Sequence, residues 1–248
     1  MQTALVHAML SKKVIKGGST MFDSRYQAVI ADTEESKSIH YHLRYQVYCL
    51  EKKFEPAEIF DDQQEIDEYD NQSVHFIIQD KQSGEWVAAA RLVIDKPEDL
   101  PISKLTEYSL DGWSKEGMVF AELSRLSILK SFRRGTSQAQ EKISEPEVLL
   151  GLIRAVKEYS EQNGIDYWLF LCRRSIMRVV GNMGMHMDII GDPCEHRGIR
   201  YPYLATLATA FKGIAQRSPK VHQMFSRKNT LVTYSKLMES STWQSKAA

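Results

Sequence analysis

The chain has 248 residues, of which 43% are hydrophobic and 26% are charged, and its 32 Lys and Arg residues equal its 32 Asp and Glu residues in number. This length and composition predict one globular domain with tails. The balanced charge lacks the overall basic excess of nucleic-acid-binding proteins. No nucleic-acid partner is therefore expected, and any charge-based recognition must be local.

The cysteines and the hydropathy pattern predict a cytoplasmic protein without a membrane span. Cys49, Cys172 and Cys194 are odd in number and have no C-x-x-C spacing, which is typical of reduced thiols. No stretch approaches the ~18 consecutive apolar residues that cross a bilayer. In residues 1–24 the lysines follow the short apolar run, the reverse of the order in a secretory signal, so this segment is predicted to be a tail.

The first predicted elements are a short strand over 25–31 and an amphipathic helix over 34–54. Apolar residues recur in the helix every three or four positions, at Ile39, Leu43, Val47, Leu50 and Phe54. Arg44 and Tyr48 lie four residues apart beside this apolar stripe. Arg44 is compatible with a surface arginine, with a tether for the acidic loop that follows, and with a ligand for a substrate carboxylate.

An acidic loop precedes a predicted β-hairpin. The hairpin is "SVHFIIQD" and "EWVAAARLVID" joined by the glycine-containing turn "KQSGE". An EF-hand is excluded in the acidic loop because Ile66 stands where that motif requires glycine. Most of the acids are compatible with a solvated loop. Asp67 and Asp70 differ, because they flank Tyr69 directly before a strand whose edge could hold them in place.

A third strand is predicted over 118–130, and it carries Glu122 and Arg125 within an apolar run. Alternation places these two side chains on opposite faces unless a β-bulge between them re-aims one. A buried Glu–Arg ion pair across neighbouring strands is the competing interpretation. Lys130, Arg133 and Arg134 follow at the strand end; this basic patch suits either a phosphate or a solvated turn.

The second half is predicted to continue with a helix that ends at Asn163-Gly164, a buried strand "IDYWLFLC", and a short helix "RSIMRVVGNMG". A strand "MHMDIIGD", a loop "PCEHRGIR" and an apolar segment "YPYLATLATAF" follow, and residues 216–248 are predicted as a polar tail, in part helical. This order predicts an α/β protein of the α+β type, with a mixed sheet and helices on its faces.

The residues give little support for nucleophilic or metal-dependent catalysis. Ser124 and Ser127 are in no G-x-S-x-G context, and Cys172 ends an apolar strand, as a core residue would. The seven histidines show no H-E-x-x-H or paired spacing, so no metal site is expected.

Four segments in order, "LRYQVYCLEKKFEP", "EIDEYDNQSVHF", "VAAARLV" and "AELSRLSI…FRR", resemble the autoinducer-synthase-like branch of the GNAT acyltransferases. That branch includes acyl-homoserine-lactone synthases, long-chain N-acyl amino acid synthases and exosortase-associated acyltransferases of bacteria. The resemblance covers about residues 25–205. It implies a GNAT-like domain over 25–215, with a mostly antiparallel twisted sheet, helices on both faces and a bulged central strand.

The resemblance also implies a role for each matching residue. Its helix motif falls on Arg44 and Tyr48, its acidic motif on Glu65, Asp67, Tyr69 and Asp70, its strand arginine on Arg91, and its E-x-(S/T)-R motif on Glu122, Ser124 and Arg125. Glu122 and Arg125 are then the catalytic residues. Arg44, Tyr48, Asp67, Asp70, Arg91 and Ser124 bind the amine-bearing substrate, and Lys130, Arg133 and Arg134 bind the phosphopantetheine or carrier protein of the donor.

Two departures favour N-acylation of an amino acid over lactone synthesis. Phe54 stands where homoserine-lactone synthases usually have Trp, and "GDPCEHRGIRYPY" is similar to the ending of the N-acyl amino acid and exosortase-associated groups. The expected function is transfer of a long fatty acyl chain from a thioester to an amino-acid amine. A lactone synthase that uses S-adenosylmethionine and a non-catalytic acyl-binding module are the alternatives.

The donor is expected to be acyl carrier protein, with coenzyme A as the alternative and no bound cofactor. Wider relatives hold the coenzyme A pyrophosphate in an R/Q-x-x-G-x-G/A loop, whereas "RRGTSQAQ" has one glycine. Glu122 is the expected base. Burial raises the pKa of such a group and Arg125 lowers it, so the sequence leaves the direction open. Backbone N–H groups freed by the bulge are expected to hold the oxyanion, and Arg44, Arg91 or Arg125 a substrate carboxylate.

Overall fold

The computed structural model describes residues 22–113, 116–130 and 145–246. The first half contains α1 (Phe22–Arg25), β1 (Tyr26–Ile30), α2 (Glu34–Tyr45), β2 (Ser73–Asp80), β3 (Trp86–Ile94) and β4 (Phe120–Ile128). The second half contains α3 (Glu145–Gln162), β5 (Tyr167–Cys172), α4 (Arg174–Asn182), β6 (Asp188–Ile189), β7 (Cys194–Glu195), β8 (Ile199–Thr206), α5 (Leu207–Ala210), α6 (Ile214–Arg217), α7 (Pro219–Phe225), β9 (Val232–Thr233) and α8 (Tyr234–Lys246). A π-helical turn, Gln46–Glu51, extends α2.

The strands form one mixed sheet in the order β6-β8-β5-β4-β3-β2-β1-β9, with β7 paired to β8. The β1–β2, β2–β3, β3–β4 and β5–β8 pairs are antiparallel, whereas β4–β5 and β1–β9 are parallel. β4 and β5 pair only from Phe120 with Tyr167 to Glu122 with Leu169. Beyond Glu122 the described residues provide no strand partner on that side of β4, so a gap opens between the two strands.

Both faces of the central strands are covered, which explains why the hairpin reads as continuous apolar runs instead of alternating ones. On one face, α3 packs on alternate residues of β2 and β3, namely Phe76, Ile78, Ala88, Ala90 and Leu92. On the other face, Leu43 of α2 packs with Val29, Ile77 and Ala89. The face that carries α2 is the one on which the charged motifs meet.

The predicted bulge in β4 is confirmed. Ser127 lies opposite Ala89 and Ser124 lies opposite Arg91, so three steps along β4 match two steps along β3. Arg125 absorbs the extra residue with a φ of 50°, in the left-handed region. Ser124 and Arg125 are therefore both directed to the α2 face, as Glu122 is.

Most of the predicted elements are confirmed, and the differences lie near the C-terminus. The predicted strand "MHMDIIGD" is reduced to two residues of β6, and the predicted loop "PCEHRGIR" instead contains β7 and the start of β8. Pro193 lies between β6 and β7 and has no backbone N–H to donate to a neighbouring strand. It is therefore tolerated at this interruption of the edge. Residues 216–246, predicted as a polar tail with helical character, form α7 and α8 and also add β9 to the sheet.

None of the helices in the described ranges is long and apolar enough to cross a membrane.

Candidate active site

Three arginines from three elements meet three carboxylates from the loop before β2. Arg44 of α2 donates from Nε to Glu65 Oε2 at 2.5 Å and from Nη1 to Asp70 Oδ1 at 2.5 Å. Its Nη2 lies 3.7 Å from Asp67 Oδ2. Of the three alternatives for Arg44, the structure therefore shows the tether of the acidic loop.

The two strand arginines complete this charge cluster. Arg91 of β3 donates to Asp67, to Asp70 Oδ1 at 3.0 Å and from Nε to Ser124 Oγ at 3.2 Å. Arg125 of β4 donates to Asp67 Oδ2 at 2.9 Å and from Nε to Glu65 Oε1 at 3.1 Å. The bulge makes this possible, because it directs Arg125 to the face from which the loop carboxylates approach.

The charge cluster is neutral in sum, since three guanidiniums face three carboxylates, and most of it is buried. Arg44 is 0% and Arg91 is 1% exposed, so neither is available to a substrate carboxylate in this arrangement. Burial raises the pKa of Asp67 and Asp70, but the neighbouring guanidiniums outweigh it and hold both pKa values below the usual range. The accessible members are Asp67 and Arg125, whose side chains are 23% and 18% exposed.

Glu122 lies beside this cluster without joining it. Its Oε2 accepts a hydrogen bond from the backbone N–H of Ile102 at 2.6 Å, and it is 4% exposed. Burial raises its pKa to about 7, although the Ile102 N–H, Arg91 and Arg125 act in the opposite direction. No ion pair joins Glu122 to Arg125 within the described ranges, so the ion-pair interpretation is wrong. Glu122 is also the last residue of β4 that pairs with β5.

Tyr48 forms the wall next to Arg125. The Arg125 guanidinium lies over the Tyr48 ring, 5.4 Å from its centre, and the Tyr48 hydroxyl donates to the Leu126 carbonyl at 3.4 Å. Phe54 contacts Tyr48 edge-on, with ring centres 6.0 Å apart. The aromatic pair therefore extends the site away from Glu122.

Sequence reasoning missed two partners of this wall, Glu55 and Arg197. Arg197 pairs with Glu55 and lies over both Tyr48, at 5.9 Å, and Phe54, at 5.5 Å. Glu55 also lies 3.8 Å from Arg125. The motif "GDPCEHRGIRYPY" contains Arg197, but its spacing alone gives no indication of a contact with a residue 142 positions earlier.

A third missed residue is His75, which is buried under the charge cluster. Its Nε2 lies 3.2 Å from the Asp70 carbonyl oxygen and 3.4 Å from the Tyr41 hydroxyl. Burial lowers its pKa to about 4, so the ring is neutral near pH 7 and does not add to the charge of the cluster. A polar residue within the buried run "SVHFIIQD" was the available signal.

Of the three predicted donor-binding residues, Lys130 lies just after β4. Lys130 is exposed, and its backbone N–H donates to Glu51 Oε1 at 2.6 Å. Arg133 and Arg134 lie outside the described residues. Over 22–113, 116–130 and 145–246, no group of three His, Cys, Asp or Glu residues is arranged to hold a metal ion.

A bulged central strand in a mixed, mostly antiparallel sheet, with helices on both faces, is the arrangement that the GNAT resemblance predicts. A family model described as an acetyltransferase (GNAT) domain matches residues 43–140, which include the whole charge cluster and Glu122. Residues 43–140 therefore match the GNAT acetyltransferase domain, and this match supports an acyltransferase. No curated protein matches it.

Solved structures with a similar fold include two lactone synthases and one N-acyl amino acid synthase. The acyl-homoserine-lactone synthase LasI is 18% identical with a TM-score of 0.56, over 76% of this chain and 96% of its own. The coenzyme A-dependent lactone synthase BjaI, solved with SAM and isopentyl-CoA, is 16% identical with a TM-score of 0.60, over 84% and 92%. FeeM, an N-acyl amino acid synthase from uncultured soil microbes, is 16% identical with a TM-score of 0.53, over 77% and 98%. At these identities the likeness establishes the fold.

Proposed function

We propose that the protein transfers a long fatty acyl chain from a thioester to the amine of an amino acid, giving an N-acyl amino acid. The observation that carries the proposal is Glu122, a buried carboxyl with a pKa of about 7 at the point where β4 and β5 separate. The gap beyond it suits the acyl thioester, and Asp67 and Arg125 form its polar wall. We propose acyl carrier protein as the donor, because "RRGTSQAQ" lacks the glycines of a pyrophosphate cradle.

Asp67 and Glu122 have separate roles in the proposed reaction. Asp67 stays ionised and partly exposed, so it is suited to orient the ammonium of the acceptor. An ammonium has no lone pair and must lose a proton before it attacks. Glu122, whose pKa is near neutrality, takes that proton directly or through a water molecule.

The neutral amine then attacks the thioester carbonyl and forms the C–N bond, and the carbonyl oxygen becomes an oxyanion. Backbone N–H groups on the unpaired edge of β4 are the proposed donors to it, and one such donor is worth about 3 kcal/mol in known cases. Collapse of the tetrahedral intermediate breaks the C–S bond. The thiolate takes the proton that Glu122 collected, and the nitrogen releases its second proton to solvent as the amide forms. No covalent enzyme intermediate is required.

Arg125 is a positioning residue in this scheme. It donates to Asp67 and to Glu65 and lies against Tyr48, so it holds the accessible carboxylate at the mouth of the gap. Its guanidinium is compensated by those carboxylates. It is therefore a weaker candidate for binding a substrate carboxylate than the sequence indicated.

The test measures turnover by the purified protein with two donors, an acyl carrier protein that carries a long-chain acyl group and the matching acyl-CoA. A panel of amino acids provides the acceptors, and mass spectrometry identifies the products. We expect N-acyl amino acids, a pH–rate profile that rises through about pH 7, and a kcat roughly 100- to 10,000-fold lower in Glu122→Gln. Glu161→Gln, an exposed glutamate of α3 paired with Lys157, is the matched control and should keep full turnover.

Other products would exclude the proposal in distinct ways. A homoserine lactone formed from S-adenosylmethionine would replace it with lactone synthesis. Binding of long acyl chains without turnover of any amine would replace it with an acyl-binding module. Undiminished turnover in Glu122→Gln would keep the reaction class and remove Glu122 as the base.

A further inference from the structure

A group of arginines at the end of β5 has too few carboxylate partners among the described residues. Arg173 and Arg174 follow β5 directly, and Arg197 and Arg200 come from the hairpin of β7 and β8 that lies beside it. Arg197 pairs with Glu55. Within the described ranges, Arg173, Arg174 and Arg200 have no carboxylate within ion-pairing distance, and Glu195 of the same hairpin instead accepts from the Gly198 N–H.

The arginines are held close together by specific contacts. Arg173 donates from Nη2 to the Arg197 carbonyl at 3.2 Å and lies against Gly198, where an added Cβ would be 3.2 Å from Nη2. Arg200 lies over Phe54, 6.0 Å from the ring centre, and Arg174 lies over Tyr201 at 4.4 Å. Arg173 and Arg174 are exposed and Arg200 is half-buried, and these contacts orient the three side chains towards a shared position for an oxyanion.

Arg200 is the member whose environment most requires an anion. It is half-buried, and its Nε is buried without a hydrogen-bond partner within the described ranges. Burial lowers its pKa, and Arg173 acts in the same direction. A buried guanidinium that faces another guanidinium is unfavourable unless an anion compensates the charge.

The local helix aggravates this excess of positive charge. Arg173 is the N-cap of α4 and Arg174 begins the helix, and its first turn has no acidic residue and no side-chain cap. Cations are disfavoured at a helix N-terminus because the backbone N–H groups there already carry partial positive charge.

This group also adjoins the proposed active site. Glu55 and Tyr48 connect Arg197 to Arg125, and Arg173 follows Cys172 at the end of β5 that has separated from β4. The arginines therefore lie at the end of β5 that borders the gap.

We propose that Arg173 and Arg200, with Arg174 at their side, bind an anionic group carried by one of the two substrates. The inference rests on the proposed function, because that function places both substrates in the gap. The group is an oxyanion, either the carboxylate of the amino-acid acceptor or the phosphate of the donor's phosphopantetheine arm. Both suit the bidentate geometry of a guanidinium.

The test measures equilibrium binding without turnover, by calorimetry, for two pairs of probes that differ in the anion. The first pair is L-tyrosine and tyramine, and the second is 4′-phosphopantetheine and pantetheine. For one pair, we expect the wild-type protein to prefer the anionic member by at least about tenfold, and Arg200→Gln and Arg173→Gln to abolish that preference. The pair affected identifies the source of the anion.

Two further variants separate recognition from folding. Arg178→Gln removes an exposed arginine one turn further along α4 and should keep the wild-type preference. Arg200→Lys keeps the positive charge and should retain part of the preference for the anionic probe that Arg200→Gln loses. Circular dichroism verifies the fold of each variant. The proposal is overturned if the wild-type protein binds no anionic probe better than its neutral partner, or if Arg200→Gln keeps the preference. Either result leaves the turnover test of Glu122 intact.

Discussion

At the residue scale, Glu122 shows how burial decides between opposing electrostatic effects. The sequence places it three positions from Arg125, which leaves the direction of its pKa shift open. In the structure Arg125 is already committed to Glu65 and Asp67, whereas the Glu122 carboxyl is 4% exposed and receives one backbone hydrogen bond. Desolvation therefore dominates, and the pKa rises to about 7 from the usual 4.5.

This raised pKa predicts a pH-dependent stability difference between the wild-type protein and Glu122→Gln. The folded wild-type protein keeps a proton that the unfolded chain releases between pH 4.5 and about 7, so this stabilisation is full below pH 4.5 and is lost as the pH rises through 7. Glutamine does not titrate. Between pH 5 and pH 8, Glu122→Gln should therefore gain roughly 2 kcal/mol in free energy of unfolding relative to wild type.

Urea unfolding of both proteins at the two pH values measures this difference, because all other titrating groups cancel. Glu161→Gln, which replaces an exposed glutamate of α3, is the control for the substitution itself. A stability difference for Glu122→Gln that is constant with pH would contradict the raised pKa.

Arg44 makes a different prediction, because it is a fully buried charge with two close carboxylates. Arg44→Met leaves Glu65 and Asp70 buried with fewer partners, so we expect a loss of about 3 kcal/mol in the free energy of unfolding. Arg44→Lys should recover little of it, because one ammonium does not reproduce the two separate contacts from Nε and Nη1. Denaturant titration measures both, and Arg178→Met on the surface of α4 is the control. A loss below about 1 kcal/mol would contradict the tether.

At the element scale, the bulge in β4 is what turns separate motifs into one site. Regular alternation would direct Arg125 to the α3 face, away from Asp67. The extra residue, with a φ of 50° at Arg125, places Ser124, Arg125 and Glu122 on the face of α2 instead. A positive φ is strained for any residue except glycine, so the local backbone and the site are coupled.

This coupling predicts an inverted order of stability at one position. Arg125→Gly and Arg125→Ala remove the same guanidinium, but only alanine retains the strain. Arg125→Gly should therefore be more stable than Arg125→Ala by about 1 kcal/mol, whereas glycine is normally the less stable residue in a strand. At Ser127, two residues further along, the ordinary order with Ser127→Ala above Ser127→Gly is expected. Thermal unfolding of the four variants measures both orders of stability. If Arg125→Ala is more stable than Arg125→Gly, the bulge geometry is contradicted.

The sequence predicts the regular elements of this fold but not the contacts that its loops make. The hairpin and the helices follow from periodicity, whereas the bulge and the motif residues follow from the resemblance of four ordered segments. The contact of Arg197 with Glu55 and the hydrogen bond from Ile102 to Glu122 do not follow, because each depends on where a loop without periodicity folds back. The sequence overestimates β6 because an apolar run does not reveal how many of its residues pair with a neighbouring strand.

At the scale of the whole molecule, the C-terminal residues complete the sheet at the edge beside β1, where β9 is four strands away from β4. β9 pairs with β1, and Tyr234 is buried against Trp86, with ring centres 5.9 Å apart. The buried Glu158 of α3 accepts from the Thr230 backbone N–H at 3.0 Å and from its hydroxyl at 2.7 Å. We therefore propose that the folded domain extends beyond residue 215, through α8.

Truncation after Asn229 tests whether the folded domain extends to α8. It also tests whether this C-terminal part is independent of the proposed active site. The loss of β9 exposes the edge of β1 and leaves the Glu158 carboxylate buried without Thr230, so we expect a loss of several kcal/mol in the free energy of unfolding. The gap lies across the sheet from this edge, so the protein that remains folded at low temperature should keep its KM for the acceptor. Truncation after Ser240 keeps these contacts and should cost little. Urea unfolding measures the loss of stability, and turnover at 10 °C measures the KM of the protein that remains folded. If the chain truncated after Asn229 unfolds like the full chain, the extended domain is contradicted.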